Sequence, residues 1–261
     1  MPQVATSLGC KIGYAEAGGS EATAIVFLHG VGSDKSVWHP QLDHFGRERR
    51  AIAFDYPGYG DSDPAPDGTT RDDYAAAILA AMDCLSIREA HICGLSLGGV
   101  VAIAINHFAA NRCASLILAD TFAVHPEGRA IYDRSIAASA DLRALAEARV
   151  DILIAQPADP AVRSEVVETM ALIDPAAYRI GAEAVWLADQ RARAGAIARP
   201  TLVIVGDKDL VTPVDLSNEL VDLIPDARMQ VIPGAGHLSN LEKPHDFNRI
   251  VEDFLSGVEA G

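Results

Sequence analysis

Cysteine is scarce in this chain, with four residues among 261, at positions 10, 84, 93 and 113. No two of them form a C-x-x-C pair, which favours free thiols over a disulfide framework or a thiolate metal site. No histidine pair stands at i, i+4 on one helix beside a carboxylate, as a zinc site would require. We therefore expect no metal and no cofactor, and six histidines are expected at the surface or at helix caps: His39, His44, His91, His107, His125 and His245.

Positive charge is also in short supply. Lysine and arginine number 21 against 36 aspartates and glutamates, which gives a formal net charge of -15 at pH 7. So acidic a chain repels polyanions, which argues against nucleic acid or an anionic membrane surface as a partner. No apolar run approaches the ~20 residues of a membrane-spanning helix. The first residues lack the basic and then apolar layout of a secretory signal, so we expect a cytoplasmic protein, monomeric or homodimeric.

Short apolar runs alternate with helical patterns through the first 121 residues. Strands are predicted at Lys11–Glu16, Ala24–Leu28, Arg50–Asp55 and Ser115–Asp120, with a further strand that begins at Ala90. Helices are predicted between them at Ser36–Phe45 and Thr70–Leu85 and after Ser96. This alternation with short connections is typical of an α/β fold, in which a mostly parallel, doubly wound sheet is covered by helices.

The alternation stops at about Phe122, and no convincing strand follows until after Ala198. Four helices are predicted there: Arg129–Ser139, Leu142–Ala155, Ala161–Ile173 and Ala177–Arg193. Alternation then resumes with two strands and two helices: Thr201–Val205, Val214–Leu223, Met229–Pro233 and Pro244–Leu255. We therefore expect an α/β core formed by residues 1–121 and 198–261, and a helical cap formed by residues 122–197 between two strands.

A serine stands at one predicted strand-to-helix turn, in the G-x-S-x-G sequence of residues 94–98. The glycines let the backbone bend sharply and let the next helix pack close to the strand. Ser96 would then present its hydroxyl at the carboxyl end of the strand. The amide of Leu97 would point into the same pocket, where it could donate to a developing oxyanion. By itself the pentapeptide is equally compatible with an inert serine in a glycine-rich turn.

A serine nucleophile needs a base within hydrogen-bond reach and a carboxylate that holds the base in the right tautomer. Asp209 and His237 follow the last two predicted strands, so both are expected at the same edge of the sheet as Ser96. The chain order Ser, Asp, His is the order expected when the three residues converge above a doubly wound sheet. Asp207, in the same loop as Asp209, is the competing carboxylate.

Five segments together resemble a serine α/β-hydrolase: His29-Gly30, DYPGYGDS, GLSLGG, GDKDLVTP and GAGHLSN, in that order over essentially the whole chain. The resemblance implies that Ser96 is the nucleophile and that His237 is the general base and then the acid. The family's carboxylate stands three positions beyond the strand-ending glycine and shortly before a proline, which favours Asp209 over Asp207.

The same resemblance implies an oxyanion hole formed by the amides of Val31 and Leu97. Within the family, three segments are most similar to the 3-oxoadipate enol-lactonase branch: VGSDKSVWHPQL, AIARPTLVIVGDKD and GAGHLSNLEKPHDFN. Enzymes of that branch open a small enol-lactone that bears a carboxylate. The resemblance therefore implies a small ester or lactone as the substrate. Residues 152–159 of the cap depart from the pattern of the branch.

A substrate with a carboxylate would need a local cation to offset the acidic chain. The expected candidates are arginines of the cap, Arg134 first and then Arg129 and Arg191. Trp186, in the last predicted cap helix, is expected to line the pocket.

Two other functions stay open at this point: a carbon-carbon bond hydrolase that acts on a ring-cleavage product, and a ligand receptor on the same fold. A dinucleotide-binding protein is excluded, because HGVGSD lacks the G-x-G-x-x-G spacing.

Overall fold

The computed structural model describes residues 2–19 and 22–260, and eight strands of that part of the chain form one sheet. The strands are β1 (Gln3–Ala5), β2 (Lys11–Ala17), β3 (Ala24–Leu28), β4 (Ala51–Phe54), β5 (Ala90–Leu95), β6 (Cys113–Ala119), β7 (Thr201–Gly206) and β8 (Ala227–Ile232). Their order across the sheet is β1-β2-β4-β3-β5-β6-β7-β8. β1 and β2 are antiparallel to their neighbours, and β3 to β8 are all parallel. The predicted mostly parallel α/β fold is confirmed.

The described residues also form eleven α-helices. They are α1 (His39–Phe45), α2 (Arg71–Cys84), α3 (Leu97–Ala109), α4 (Gly128–Ala138), α5 (Leu142–Leu153), α6 (Pro160–Ala171), α7 (Pro175–Trp186), α8 (Arg191–Ala194), α9 (Val214–Leu223), α10 (Ser239–Glu242) and α11 (Pro244–Glu259). Local sequence starts several of them. Thr70 and Asp73 form a reciprocal capping box at the start of α2, and α6 and α7 each begin with an Asp cap followed by proline.

Every residue of β3, β4, β5 and β7 is buried. These strands are continuous apolar runs rather than alternating patterns because helices cover both faces of the sheet. Two apolar clusters make up the core: one contains Val26 and Leu28 of β3, and the other contains Ile25 and Phe27 of the same strand. Successive side chains of a strand point to opposite faces, so the two clusters lie on opposite sides of the sheet.

Five helices, α4 to α8, lie in the chain between β6 and β7, which are neighbours in the sheet. The chain therefore leaves the sheet after β6 and returns beside the same strand. Because β3 to β8 are parallel, their carboxyl ends meet at one edge of the sheet. The loops after β3, β5, β7 and β8 carry the predicted site residues to that edge.

The structure differs from the predicted elements at the first strand and between α7 and α8. The strand β1 was not predicted, and the predicted helix Ala177–Arg193 is broken between α7 and α8. In that break Gln190 donates from its backbone amide to the Ala123 carbonyl and from its side chain to the Val100 carbonyl. These contacts with distant residues replace the helical hydrogen bonds.

His91 is buried in β5 instead of lying at the surface, and its ring contacts Ser115 Oγ at 2.8 Å and Glu259 Oε1 at 3.1 Å. The position follows from the central place of β5 in the sheet. In the part of the chain that the structure describes, every helix is too short or too polar to cross a membrane.

Candidate active site

Ser96 occupies the turn between β5 and α3 with φ 54° and ψ -112°, a backbone conformation that residues with a side chain rarely adopt. The turn is close-packed. A Cβ atom on Gly94 would lie 2.1 Å from the Gly98 carbonyl oxygen, and one on Gly98 would lie 2.1 Å from the Leu28 carbonyl oxygen. Only glycine fits at those two positions. The backbone strain at Ser96 costs about 1–3 kcal/mol, and strain of this kind is characteristic of functional sites.

His237 lies in the loop after β8, and its ring is held by a carboxylate. Nδ1 of His237 lies 2.9 Å from Oδ2 of Asp209, and both side chains are buried. Asp209 also accepts hydrogen bonds from the amides of Val211 and Thr212, at 2.7 and 2.8 Å, and from the Thr212 hydroxyl at 2.6 Å. The carboxylate is therefore fixed on both oxygens before it meets the imidazole.

The electrostatics of this pair favour an ionised carboxylate beside a basic imidazole. Burial opposes charge on each group, but the charge of the partner and their shared hydrogen bond outweigh it. As a result the pKa of His237 lies above its ordinary value of 6.5, and the pKa of Asp209 lies below its ordinary value of 3.8.

Asp207, the competing carboxylate, lies elsewhere in the same loop. Its Oδ1 accepts a hydrogen bond from the Gly234 amide at 2.6 Å, and its Oδ2 lies 3.3 Å from Lys208 Nζ. The residue is exposed, whereas Asp209 is 4% exposed.

The loop after β3 is ordered by His29, which is buried. His29 Nε2 accepts from the Tyr56 amide at 3.4 Å, so the ring proton of the neutral imidazole resides on Nδ1. Nδ1 then donates to the Gly30 carbonyl at 2.8 Å. Burial lowers the pKa of His29 and keeps the ring neutral. The Ser33 hydroxyl and amide donate to the same carbonyl at 3.3 Å.

These contacts orient the peptide bond between Gly30 and Val31. In a trans peptide the N–H points opposite to the carbonyl, so the Val31 amide points away from the His29 and Ser33 side of the loop. Leu97 is the first residue of α3, where backbone amides have no carbonyl partner within the helix. The amides of Val31 and Leu97 therefore take no part in the hydrogen bonds of the sheet or of α3. Both lie at the edge of the sheet that carries Ser96.

Ser96 and His237 line the same cavity, whose volume is about 50 Å³. Its walls are mainly apolar and come from the loop after β3, from α5, α6 and α7, and from the loop around His237. Trp186 lies in the wall of this cavity. A second, larger cavity of about 650 Å³ shares Arg149 and Val211 with the first.

The structure distributes the cap arginines differently from the sequence-based expectation. Arg134 lines the second cavity and not the one that contains Ser96. Arg129 and Arg191 are exposed and form ion pairs with Asp133 and Asp189. Arg149 of α5 was missed, although it lines both cavities. The helical pattern of α5 could have placed it near the inward face, but not above Ser96.

Arg149 is half-buried and has no hydrogen-bond or ion-pair partner within residues 2–19 and 22–260. Among the residues that the structure describes, Glu165 is the only carboxylate lining the smaller cavity, and its Oε1 lies 3.5 Å from His39 Nδ1. Within the same described ranges, no three His, Cys, Asp or Glu side chains are grouped so that they could hold a metal ion.

A parallel sheet with a strained serine after its central strand, and a carboxylate-bound imidazole facing the same cavity, defines the class of α/β hydrolases. Residues 23–244 match the family model of the α/β hydrolase fold, and the chain belongs to that family. The predicted family is confirmed, and the chain is a hydrolase by this membership.

Relatives of known activity include enzymes of the predicted branch. The 3-oxoadipate enol-lactonase 2 of Acinetobacter baylyi is 30% identical over 260 residues, which cover 95% of this chain and 94% of that protein. The crystal structure of the enol-lactonase from Burkholderia xenovorans LB400 superposes with a TM-score of 0.89 at 31% identity, over 98% of this chain and all of that one. The resemblance to the enol-lactonase branch is thereby confirmed.

A third relative has a different activity. The 2-hydroxy-6-oxononadienedioate/2-hydroxy-6-oxononatrienedioate hydrolase of Cupriavidus pinatubonensis is 29% identical in an alignment 275 positions long. The alignment covers 91% of this chain and 88% of that protein. The similarity to both relatives leaves the substrate of this chain to be derived from its site.

Proposed function

We propose that this protein hydrolyses a small ester or lactone through an acyl-enzyme intermediate on Ser96. The observation that carries the proposal is the common cavity of Ser96 and His237, together with the 2.9 Å contact of His237 Nδ1 with Asp209. A serine hydroxyl becomes nucleophilic when a positioned imidazole takes its proton, and the carboxylate fixes the tautomer in which Nε2 is free to do so.

In the first half of the reaction, Ser96 Oγ attacks the carbonyl carbon of the substrate while His237 Nε2 takes the hydroxyl proton. The oxyanion of the tetrahedral intermediate accepts hydrogen bonds from the amides of Val31 and Leu97. The intermediate collapses, the C–O bond to the leaving group breaks, and His237 returns its proton to that oxygen. With a lactone the leaving oxygen stays attached to the acyl chain.

In the second half, a water molecule attacks the acyl carbon while His237 takes a proton from it. The second tetrahedral intermediate collapses, the acid leaves, and Ser96 recovers its proton. Asp209 keeps its negative charge throughout and stabilises the imidazolium that forms twice in the cycle. Its four hydrogen bonds hold it in place for that role.

A fluorophosphonate probe tests the nucleophile directly. We expect one covalent adduct, located by peptide mass spectrometry on Ser96, and no adduct in a folded Ser96→Ala variant. The same variant should lose on the order of 10⁶ in kcat on a neutral aryl ester. An adduct at another serine, or wild-type turnover by Ser96→Ala, would contradict the proposal.

The size of the cavity supports a small reacting group. The cavity that contains Ser96 measures about 50 Å³. The larger cavity beyond Arg149 and Val211 gives the rest of a substrate a place to extend. We therefore propose a short acyl chain whose far end points toward Arg149, with residues 122–197 acting as the cap that sets this length.

Arg149 makes a carboxylate the favoured group at that end. Two other cap arginines are occupied: Arg143 pairs with Glu168 at 2.6 Å, and Arg193 pairs with Asp72 at 2.6 Å. Arg134, which lines only the larger cavity, is exposed, whereas Arg149 is half-buried. An unpaired guanidinium in a half-buried wall would gain a charge-assisted hydrogen bond from a carboxylate. An enol-lactone that bears a carboxylate, such as 3-oxoadipate enol-lactone, offers an ester carbonyl to Ser96 and a carboxylate to Arg149.

Two aryl esters of equal length, one ending in a carboxylate and one in a methyl group, test this substrate class. Arg149→Gln should lose ~10- to 100-fold in kcat/KM on the anionic ester, and much less on the neutral one, because only the former loses a charged hydrogen bond. Arg143→Gln, on the exposed surface, is the matched control. Arg134→Gln is measured alongside, and equal losses on both esters would remove Arg134 from substrate recognition.

A carbon-carbon bond hydrolase is the second candidate, favoured by the similarity to the Cupriavidus hydrolase. A panel that contains enol-lactones and vinylogous 1,5-diketones separates the two. The ester and lactone proposal expects faster turnover of the lactones, and faster turnover of the diketones would replace it with the second candidate.

A further inference from the structure

Asp120 is a buried carboxyl group that the proposed reaction does not use. It directly follows β6 with a left-handed φ of 45° and has no exposed surface. Its amide donates to the Ile204 carbonyl of β7 at 2.8 Å, which fixes the backbone at the edge of the sheet. A buried acid in a strained conformation needs specific partners to offset its cost.

Those partners border the two loops that carry the predicted catalytic pair. Oδ1 of Asp120 accepts a hydrogen bond from the amide of Gly206, three residues before Asp209, at 2.9 Å. Oδ2 lies 2.5 Å from the hydroxyl of Ser239, two residues after His237. One carboxyl group thus connects the end of β7, which leads into the loop of Asp209, with the start of α10, which follows the loop of His237.

The next residue extends this connection to the turn of Ser96. The Thr121 hydroxyl donates to the Ser96 carbonyl at 2.7 Å. Two consecutive residues at the end of β6 therefore contact all three segments that carry Ser96, Asp209 and His237. A displacement of about 1 Å in a catalytic group can cost 10²-fold in rate, so such a link bears on turnover.

We propose that Asp120 is a positioning residue for the proposed reaction: its carboxyl group sets the distance between the loops of Asp209 and His237. The inference rests on the proposed function of those two residues. Asp120 does not touch the substrate and acts only through the pair. Its removal should lower kcat more than it changes KM.

The charge of Asp120 adds a second effect. Burial, and then the negative charge of Asp209, raise the pKa of Asp120 to about 8, which brings its titration toward the pH range in which His237 titrates. The ionisable groups that act on it or respond to it are Asp209, His237 and the buried thiol of Cys93. When Asp120 ionises, its charge raises the pKa of His237.

Three variants separate a positioning role of Asp120 from a general effect on protein stability. Each rate is divided by the concentration of active sites, which is measured by fluorophosphonate labelling. Asp120→Asn retains an acceptor for Gly206 and a donor for Ser239, so kcat at neutral pH should stay within ~3-fold of wild type. Asp120→Ala breaks both links and should lose ~10-fold or more in kcat, with KM little changed. Asp207→Asn, which alters an exposed link between the same loops, is the control.

A wild-type kcat in folded Asp120→Ala, or a loss in Asp120→Asn as large as in Asp120→Ala, would overturn the proposal. Should Asp120→Ala not fold, Ser239→Ala removes one end of the link alone. It is then expected to lower kcat, and an unchanged kcat overturns the proposal.

The ring-proton NMR titration of His237 needs no substrate and distinguishes this inference from the proposed function. The pKa of His237 should be lower in Asp120→Asn than in wild type, and unchanged in Asp207→Asn. Equal values in wild type and Asp120→Asn would overturn the coupling of Asp120 to His237, whatever the enzyme hydrolyses. Absence of labelling at Ser96 would instead remove the proposed function.

Discussion

At the scale of single residues, two aspartates in one loop differ in almost every physical respect. Asp209 is buried and accepts hydrogen bonds from two backbone amides and one hydroxyl. Its carboxylate lies 2.9 Å from Nδ1 of His237. Asp207 is exposed and bonds to the Gly234 amide. Only the first can hold His237 in one tautomer and offset its positive charge.

Separate replacement of the two aspartates by asparagine should therefore give opposite results. Asp209→Asn should lose on the order of 10⁴ in kcat, because the amide stabilises the wrong tautomer of His237. Asp207→Asn should retain most of its activity. Steady-state kinetics on a neutral ester, with circular dichroism to verify folding, is the measurement. Comparable losses in both variants would disprove the assignment of Asp209.

His237 also sets an expected pH dependence. In the proposed mechanism the general base, His237, must be neutral, and the carboxylate of Asp209 raises the pKa of His237 above 6.5 despite burial. Activity should therefore be lost as the pH falls through a value above 6.5. We expect kcat/KM on a neutral ester, measured between about pH 5 and 9, to have its acid limb there. A limb centred below 6.5 would mean that another group controls the rate.

At the scale of elements, the turn between β5 and α3 depends on how closely the helix approaches the sheet. A methyl group on Gly98 would lie 2.1 Å from the Leu28 carbonyl of β3, so α3 would have to shift. The shift would move Ser96, which immediately precedes the helix.

Gly98→Ala should lower the free energy of unfolding by about 2–3 kcal/mol and reduce fluorophosphonate labelling of Ser96. Gly257→Ala in α11 is the matched control, because the nearest atom to its new methyl group is an arginine nitrogen 4.0 Å away. That change should be neutral or stabilise by up to about 1 kcal/mol, since alanine favours helix. Urea unfolding measures both. Equal stability of the two variants would contradict this view of the turn.

The elements of the sheet were predictable because their residues carry local signals. β5, β7 and β8 are each followed by a glycine-containing turn, so Ser96, Asp209 and His237 could each be assigned to a strand end. β1 has three residues and no such run, and it exists because Gln3–Ala5 pairs with β2. The break between α7 and α8 likewise depends on Gln190 and its contacts with distant carbonyls.

Features that depend on how the helices pack over the sheet could not be predicted from the sequence. Arg149 and Arg134 both stand on helical segments with similar patterns, and only the packing of α5 brings Arg149 to the cavity of Ser96. Asp120 ended a predicted strand, but its partners Gly206 and Ser239 lie 86 and 119 residues away. No local pattern encodes such contacts.

At the scale of the whole molecule, the net charge of -15 and the unpaired Arg149 act on an anionic substrate in opposite directions. The net charge repels the substrate at long range, and dissolved salt weakens this repulsion. Salt weakens the attraction between the half-buried guanidinium and a nearby substrate carboxylate much less. We expect kcat/KM for an anionic ester to rise ~2- to 5-fold as the ionic strength increases from about 0.01 to 0.15 M. The neutral ester of equal length should show no such rise. In Arg149→Gln the rise should be larger, because only repulsion remains. A rate that falls with salt in the wild type would mean that Arg149, and not the net charge, dominates the field that the substrate meets.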